Sequence, residues 1–392
     1  MGNIFSDRIT DVPRSFIREI LKVAIDESVI SFAGGLPNRN LFPVKEIQAA
    51  TDKLLDEYGR DILQYSSSEG HRELREWIAG RYKAKRNITV HPDNILITTG
   101  SQQGLDLLGK TFLNEGDDII IEEPGYLGAI QAFSVYRATF HPVPVDTAGI
   151  DIKKLKQSIS GFRTKLFYCV PNFQNPSGIS YSEENRIGVA NLVEGSDIIL
   201  IEDDPYGELR FMGAGKTSFQ QLLPDNTVLL GSFSKIVAPS FRIGWTVARD
   251  EIMEKLVVAK QASDLHTSYF CQRVILQYLK DNDIDGHIEL IRKAYGKQRD
   301  AMIASIRQYF PDEVEYTQPE GGMFLWITLP ERLSAMEVFN HAIERKVAFV
   351  PGDPFYVNKR NLNTLRLNFS SVDEETIWKG IKRLGELLKT MV

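Results

Sequence analysis

Thr227-Val-Leu-Leu-Gly-Ser-Phe-Ser-Lys235-Ile-Val-Ala-Pro-Ser-Phe-Arg242-Ile-Gly-Trp245 decides how this chain folds and what it carries. Residues 227–233 form a near-continuous apolar run, the pattern of a parallel strand covered by helices on both faces. A lysine so soon after such a strand is unusual, because an unpaired buried ammonium costs several kcal/mol unless it is neutralised or bonded. Lys235 is therefore either a solvated surface lysine or an amine that forms a Schiff base with a carbonyl cofactor.

Outward from that stretch, similar apolar runs at 94–98, 118–122, 165–170 and 197–202 alternate with helical patterns that start near Gln102, Tyr126, Ser182 and Asp250. The alternation predicts an α/β fold with a doubly wound, mostly parallel sheet in a large domain at 45–280. Beyond residue 281 come a long charged helix, a strand at 323–328, a helix at 334–345 and a strand at 364–369. This is the pattern of a smaller α+β domain at 281–392, to which residues 1–44 add an N-terminal arm. Ser371-Val-Asp-Glu374 reads as a capping box for a last helix with Ile377, Ile381, Leu384 and Leu388 on one face.

Composition sets the outer limits. With 392 residues, 43% of them hydrophobic, the chain can bury a large core. A formal charge of −6, with no basic run interleaved with aromatics, argues against nucleic acid as a partner. No stretch nears the roughly 20 apolar residues of a membrane-spanning helix, and charges interrupt any N-terminal signal core. Cys169 and Cys271, far apart and in apolar settings, fit buried thiols in a reducing compartment, so a cytoplasmic protein is the expectation. The histidines never fall within one helical turn of each other, and no metal site is expected. Gly215-Lys216-Thr217 lacks the earlier glycine of a phosphate-binding loop, Arg210 standing in its place, and reads as a surface turn.

Polar residues gather just after the apolar runs, where open α/β sheets bind ligands. Thr99-Gly100-Ser101-Gln102 opens a helix whose free N–H groups suit a phosphate, with an ordinary Ser N-cap as the alternative. Asp203, Asp204, Pro205 and Tyr206 follow one run; Ser234, Lys235 and Arg242 follow another. A phosphate cup, a Schiff-base lysine and an aspartate holding a pyridinium proton describe pyridoxal phosphate chemistry.

The segment from Ser232 to Trp245 resembles the cofactor-lysine motif of fold-type I, class I/II aminotransferases. So do Pro171-Asn-Phe-Gln-Asn175-Pro-Ser-Gly178, Glu202-Asp203-Asp-Pro-Tyr206 and Thr364-Leu-Arg366-Leu-Asn-Phe369, and the likeness runs from Ser31 to Phe369. The six residues between Lys235 and Arg242, the opening Phe32-Ala-Gly-Gly-Leu-Pro37 and Leu63-Gln-Tyr65-Ser look like the 2-aminoadipate/kynurenine aminotransferase branch. That branch also resembles the catalytic-type half of MocR regulators. The chain begins too close to this core to hold a winged-helix domain, so an enzyme is expected rather than a regulator.

The resemblance implies a homodimer that uses pyridoxal 5′-phosphate. Lys235 would bind the cofactor and move the substrate proton, and Asp203 would pair with the pyridine nitrogen. Asn175 and Tyr206 would hydrogen-bond the phenolic oxygen, Asn175 also bordering the substrate, while Tyr126 would stack on the ring or serve as a core aromatic. Ser101, Gln102, Ser232, Ser234 and Arg242 would hold the phosphate, although Gln102 and Ser234 also suit caps. Tyr65 would reach the phosphate of the neighbouring subunit. Arg366 would grip the substrate α-carboxylate through a bidentate fork, a surface salt bridge being its alternative. Gly35 lies on the loop expected to cover the pocket, and Asp204 is expected to be structural. Arg18, on an N-terminal helix, would receive a distal carboxylate or remain a solvated helix charge. The implied reaction moves the amino group of an L-amino acid (2-aminoadipate, aromatic, branched-chain or glutamate-like) to a 2-oxo acid such as 2-oxoglutarate, by a ping-pong cycle. A β-lyase of the same fold type and a non-catalytic cofactor-binding regulator domain are the competing expectations.

Overall fold

The computed structural model describes residues 4–10, 12, 20, 26, 28–358 and 362–392. A short strand, β1 (Ile30–Ser31), precedes the strands of the larger sheet. These are β2 (Ile95–Thr98), β3 (Asp118–Glu123), β4 (Thr139–Asp146), β5 (Gly149–Ile150), β6 (Thr164–Cys169), β7 (Ile199–Asp203), β8 (Thr227–Ser232) and β9 (Gly244–Val247). They lie in the order β2-β9-β8-β7-β6-β3-β4-β5. β8, β7, β6, β3 and β4 pair in parallel, and β9 runs antiparallel between β2 and β8. Every residue of β2, β7 and β8 is buried, as strands covered on both faces must be.

The expected α/β architecture stands, and three strands that the apolar runs did not predict complete it. Pro142 and Pro144 break the pattern of β4, but its partner β5 pairs only with Val145 and Asp146, so a missing N–H at Pro142 costs nothing on that side. β9 is four residues that follow a left-handed turn at Arg242 (φ 54°), and its sequence, Gly-Trp-Thr-Val, carries no period of its own.

A second sheet, β10 (Glu315–Tyr316), β11 (Phe324–Thr328), β13 (Val350–Pro351) and β14 (Thr364–Asn368), is antiparallel in the order β10-β11-β14-β13. The helices Ile284–Tyr309 and Glu374–Met391 pack on each other beside it. β1 pairs in parallel with β12 (Val347–Ala348), and Asn368 N donates to Phe32 O, so residues 30–35 are drawn to the end of β14. The last helix is capped differently from the expectation. Asp373 accepts from Thr376 N at 2.8 Å, while Ser371 N is held by Asn368 Oδ1, because the acidic residue immediately precedes the helix and so lies closer to its free N–H groups. Cys169 is buried, but Cys271 is only half-buried on a helix face; both are free thiols.

Candidate active site

Parallel strands end at one edge of the larger sheet, and the segments leaving β2, β3, β6, β7 and β8 converge there. They enclose a cavity of about 240 Å³ lined by Ser101, Gln102, Tyr126, Asn175, Asp203, Tyr206, Ser232, Ser234, Lys235 and Arg242, together with Val170, Pro205 and Pro239.

One end of the cavity is built for an anion. The helix Ser101–Phe112 starts on Gly100 and has no side-chain cap, so Ser101 is not the ordinary N-cap that its type allowed. Gly100 has φ +73°, and a Cβ there would lie 2.5 Å from Arg242 Nη2. Glycine is what lets the guanidinium lie against the turn. Ser232 Oγ accepts from Ser234 N at 3.0 Å and thereby caps the short turn Phe233–Lys235 that presents the lysine. Gln102 lines the cavity, but its Nε2 donates to Gly128 O at 2.9 Å, fastening the turn that carries Tyr126.

The opposite end holds a buried carboxyl. Asp203, at the end of β7, is 2% exposed; its Oδ2 accepts from Tyr168 Oη at 2.8 Å, whereas its Oδ1 has no hydrogen-bond partner among the described residues. Burial pushes its pKa up to about 7 against the hydrogen bond from Tyr168. Asp204 points away, its two oxygens taken by Arg86 Nη2 and Asn172 Nδ2, each at 2.9 Å, and is structural as expected.

Between these ends lies Lys235, whose half-buried Nζ donates to Gly35 O at 3.2 Å and stands 6.0 Å from the Tyr206 ring centre. Burial, then the charges of Arg366 and Arg242, lower its pKa to about 8, which makes a neutral amine accessible near physiological pH. Tyr206 meets Phe324 edge-on, and burial pushes its phenol upward against a hydrogen bond with Asn175. Tyr126 packs on the core with one side and lines the cavity with the other, burial raising its phenol to about 12.

Arg366, on β14, is 3% exposed and is no surface ion pair. Its Nη1 donates to Asn175 Oδ1 and its Nη2 to Ala33 O, both at 2.7 Å, and Phe324 and Phe355 flank the guanidinium at 4.4 and 5.2 Å. Among the described residues no carboxylate pairs with it, its Nε has no partner, and burial brings its pKa down to about 10. Gly35 joins the site through its carbonyl. Tyr65 does not: it is 79% exposed, edge-on to His266, and outside the cavity of its own chain. Arg18 lies outside the described residues.

An amine, a lone buried carboxyl and Arg242 on one cavity, with Arg366 bonded to the Asn175 that lines it, form a complete set for carbonyl-cofactor chemistry on an anionic substrate. Residues 33–384 match the family described as aminotransferase class I and II. The chain belongs to this family. An aromatic-amino-acid aminotransferase of Thermococcus litoralis is 40% identical over 98% of this chain and 94% of its own. A 2-aminoadipate transaminase of Thermus thermophilus is 40% identical over 97% and 95%. The crystal structure of a kynurenine aminotransferase from Pyrococcus horikoshii, in complex with PMP, superposes with a TM-score of 0.95 at 40% identity and covers 99% of this chain and 98% of that one. The protein is thus a pyridoxal phosphate-dependent aminotransferase of fold type I.

Four features of this aminotransferase's site escaped the sequence reading: Tyr168, the Ala33 carbonyl, and the rings of Phe324 and Phe355. Tyr168 left one usable signal, since a phenol inside an apolar strand run must find a partner when buried. The other three are ordinary core residues until the two sheets are brought together.

Proposed function

We propose that this aminotransferase moves the α-amino group of an L-amino acid with an aromatic or 2-aminoadipate-like side chain to a 2-oxo acid, with 2-oxoglutarate as acceptor. The observation that carries the reading is Arg366: a buried guanidinium beside the lysine, with no carboxylate of its own among the described residues, is a binding site for the carboxylate of a small molecule. The names of relatives at 40% identity support the side-chain class.

The residues fit the cofactor. The unpartnered Asp203 Oδ1 suits a protonated ring nitrogen, and the uncapped helix start with Arg242 against it suits a phosphate. Pyridoxal phosphate, when bound, supplies an aldehyde for the amino group and a ring that takes up the electron pair left at the α-carbon. Lys235 Nζ carries the α-proton, and its lowered pKa supports that part because a base must spend much of its time neutral. Asn175 and Tyr206 orient the phenolic oxygen, Ser101, Gln102, Ser232 and Ser234 border the phosphate, and Tyr126 covers the ring face. Arg366 holds the α-carboxylate of donor and acceptor alike, and Gly35 closes the loop over it. The exposure of Tyr65 supports a homodimer in which that residue serves the neighbouring site. A cytoplasmic setting is supported by the two free thiols. Residues 45–280 and 281–392, with the arm 1–44, form the two domains between which the site opens.

Initial-rate kinetics on the holoenzyme with a panel of amino donors and 2-oxoglutarate test the proposal. Parallel double-reciprocal lines, with aromatic donors and 2-aminoadipate ahead of alanine and aspartate, are expected. Intersecting lines, or ammonia release without an acceptor, would overturn it.

A further inference from the structure

Asp203 is a carboxyl group in an unusual position. It is 2% exposed, and among the described residues no lysine or arginine forms an ion pair with it and its one side-chain hydrogen bond comes from Tyr168. Its two oxygens are therefore different: Oδ2 is held by the phenol at 2.8 Å, and Oδ1 is left without a partner beside the cavity. A buried carboxylate with nothing holding it would be free to rotate about its terminal torsion, which is broad and two-fold. It would also be free to take up a proton in place of a partner.

Tyr168 is placed to oppose both: it holds one oxygen, and its hydrogen bond works against the rise that burial causes. It lies on β6, in register with Ile201 of the parallel neighbour β7, two residues before Asp203. The side chain is fully buried and its ring meets Phe133 edge-on at 6.2 Å, so the hydroxyl has one direction in which to point. Burial and the nearby carboxyl drive the phenol's pKa well up, so its proton stays on the phenol oxygen, donating.

We infer that Tyr168 is a positioning residue for the cofactor ring: its O–H, given to Asp203 Oδ2, fixes the carboxylate so that Oδ1 meets the ring nitrogen. The inference rests on the proposed pairing of Asp203 with that nitrogen. It assigns Tyr168 no contact with cofactor or substrate.

The test compares binding of two probes to the full-length apoprotein: pyridoxal phosphate, and its 1-deaza analogue, in which C–H replaces the ring nitrogen. Tyr168→Phe removes only the hydroxyl and keeps the packing against Phe133. It is expected to weaken pyridoxal phosphate about tenfold, the worth of one hydrogen bond to a charged group, and to change deaza-analogue binding by less than about twofold. A merely structural role for Tyr168 would weaken both probes equally, and that result overturns the inference, as does no change with either. Asp203→Ala separates the role of Asp203 from that of Tyr168. If it weakens both probes alike, the pairing of Asp203 with the ring nitrogen is wrong; if it discriminates between them and Tyr168→Phe does not, only the role of Tyr168 is wrong. Should Tyr168→Phe not fold, difluorotyrosine at position 168 keeps the ring and strengthens the donor. Tighter binding of pyridoxal phosphate alone then supports the inference, and any other outcome overturns it.

Discussion

Arg366 Nη1 donates to Asn175 Oδ1 at 2.7 Å across 191 residues of sequence. The bond joins β14 of the smaller sheet to the loop that leaves β6 of the larger one. Ala33 O completes the arrangement by accepting from Arg366 Nη2, and Gly35, two residues on, accepts from Lys235 Nζ. The carboxylate anchor, the cofactor lysine and the N-terminal loop are thus one connected unit, built where the two sheets meet.

Replacement of the anchor should separate binding from cofactor retention. Arg366→Lys keeps a charge but loses the planar fork that reaches Asn175 and a carboxylate together. A fall in kcat/KM of about 100-fold, on the order of 3 kcal/mol, is expected, carried mostly by KM. The visible absorbance of the lysine-bound cofactor should persist. Loss of that absorbance in the variant would mean that Arg366 holds the pocket together rather than the substrate.

Gly100→Ala should damage the phosphate end selectively. The new methyl group would meet Arg242 Nη2 at 2.5 Å, in a backbone conformation that alanine adopts only under strain of about 1–2 kcal/mol. Fluorescence titration of the apoprotein is expected to give at least a tenfold weaker affinity for pyridoxal phosphate. Unchanged affinity would show that Arg242 need not lie against this turn.

The lysine should carry a pH signature in the apoprotein. Its amine titrates near 10.5 when unperturbed and at about 8 in the folded chain. Below pH 8 both states hold the proton and the folded state bears the cost of the buried charge. As pH rises from 8 toward 10.5 only the unfolded chain keeps the proton, and the penalty is relieved. Apoprotein with Lys235→Met is therefore expected to melt above wild type at pH 7, with the gap shrinking as pH rises to about 10. A gap independent of pH would argue that the amine is not desolvated.

Adjacent aspartates should behave oppositely. Asp204→Ala strands the Arg86 guanidinium and is expected to lower the stability of the holoenzyme by about 3 kcal/mol in urea unfolding, with kcat changed less than about threefold. Asp203→Ala should do the reverse, with apoprotein stability kept or raised and turnover lost. If Asp204→Ala were the more damaging to turnover, the roles drawn from their hydrogen bonds would be exchanged.

Legibility in the sequence followed distance along the chain. Lys235, Ser232, Ser234 and Arg242 were readable because eleven consecutive residues bring a strand end, a turn and a charge together. Asp203 and Ser101 were readable because fully buried parallel strands leave continuous apolar runs and the polar residue that ends each run stands out. β4 and β9 were not, since two prolines interrupt one and the other is four residues with no period. The role of Arg366 was legible only through the family resemblance and not from its neighbours in sequence, because its partners, Asn175 and Ala33, lie 191 and 333 residues away. Gln102 was legible as a cavity residue by its place at a helix start; only the fold shows that its amide also fastens the turn at Gly128.

An aminotransferase keeps the amino group it removes. A single-turnover experiment reads this directly: holoenzyme mixed with an aromatic amino acid or 2-aminoadipate, without any acceptor, followed by quantification of 2-oxo acid and ammonia. One equivalent of 2-oxo acid per active site, no ammonia, and recovery of the original absorbance on adding 2-oxoglutarate are predicted. Continuous release of ammonia, or no 2-oxo acid from any donor in a broad panel, would show that the protein does not transfer the amino group.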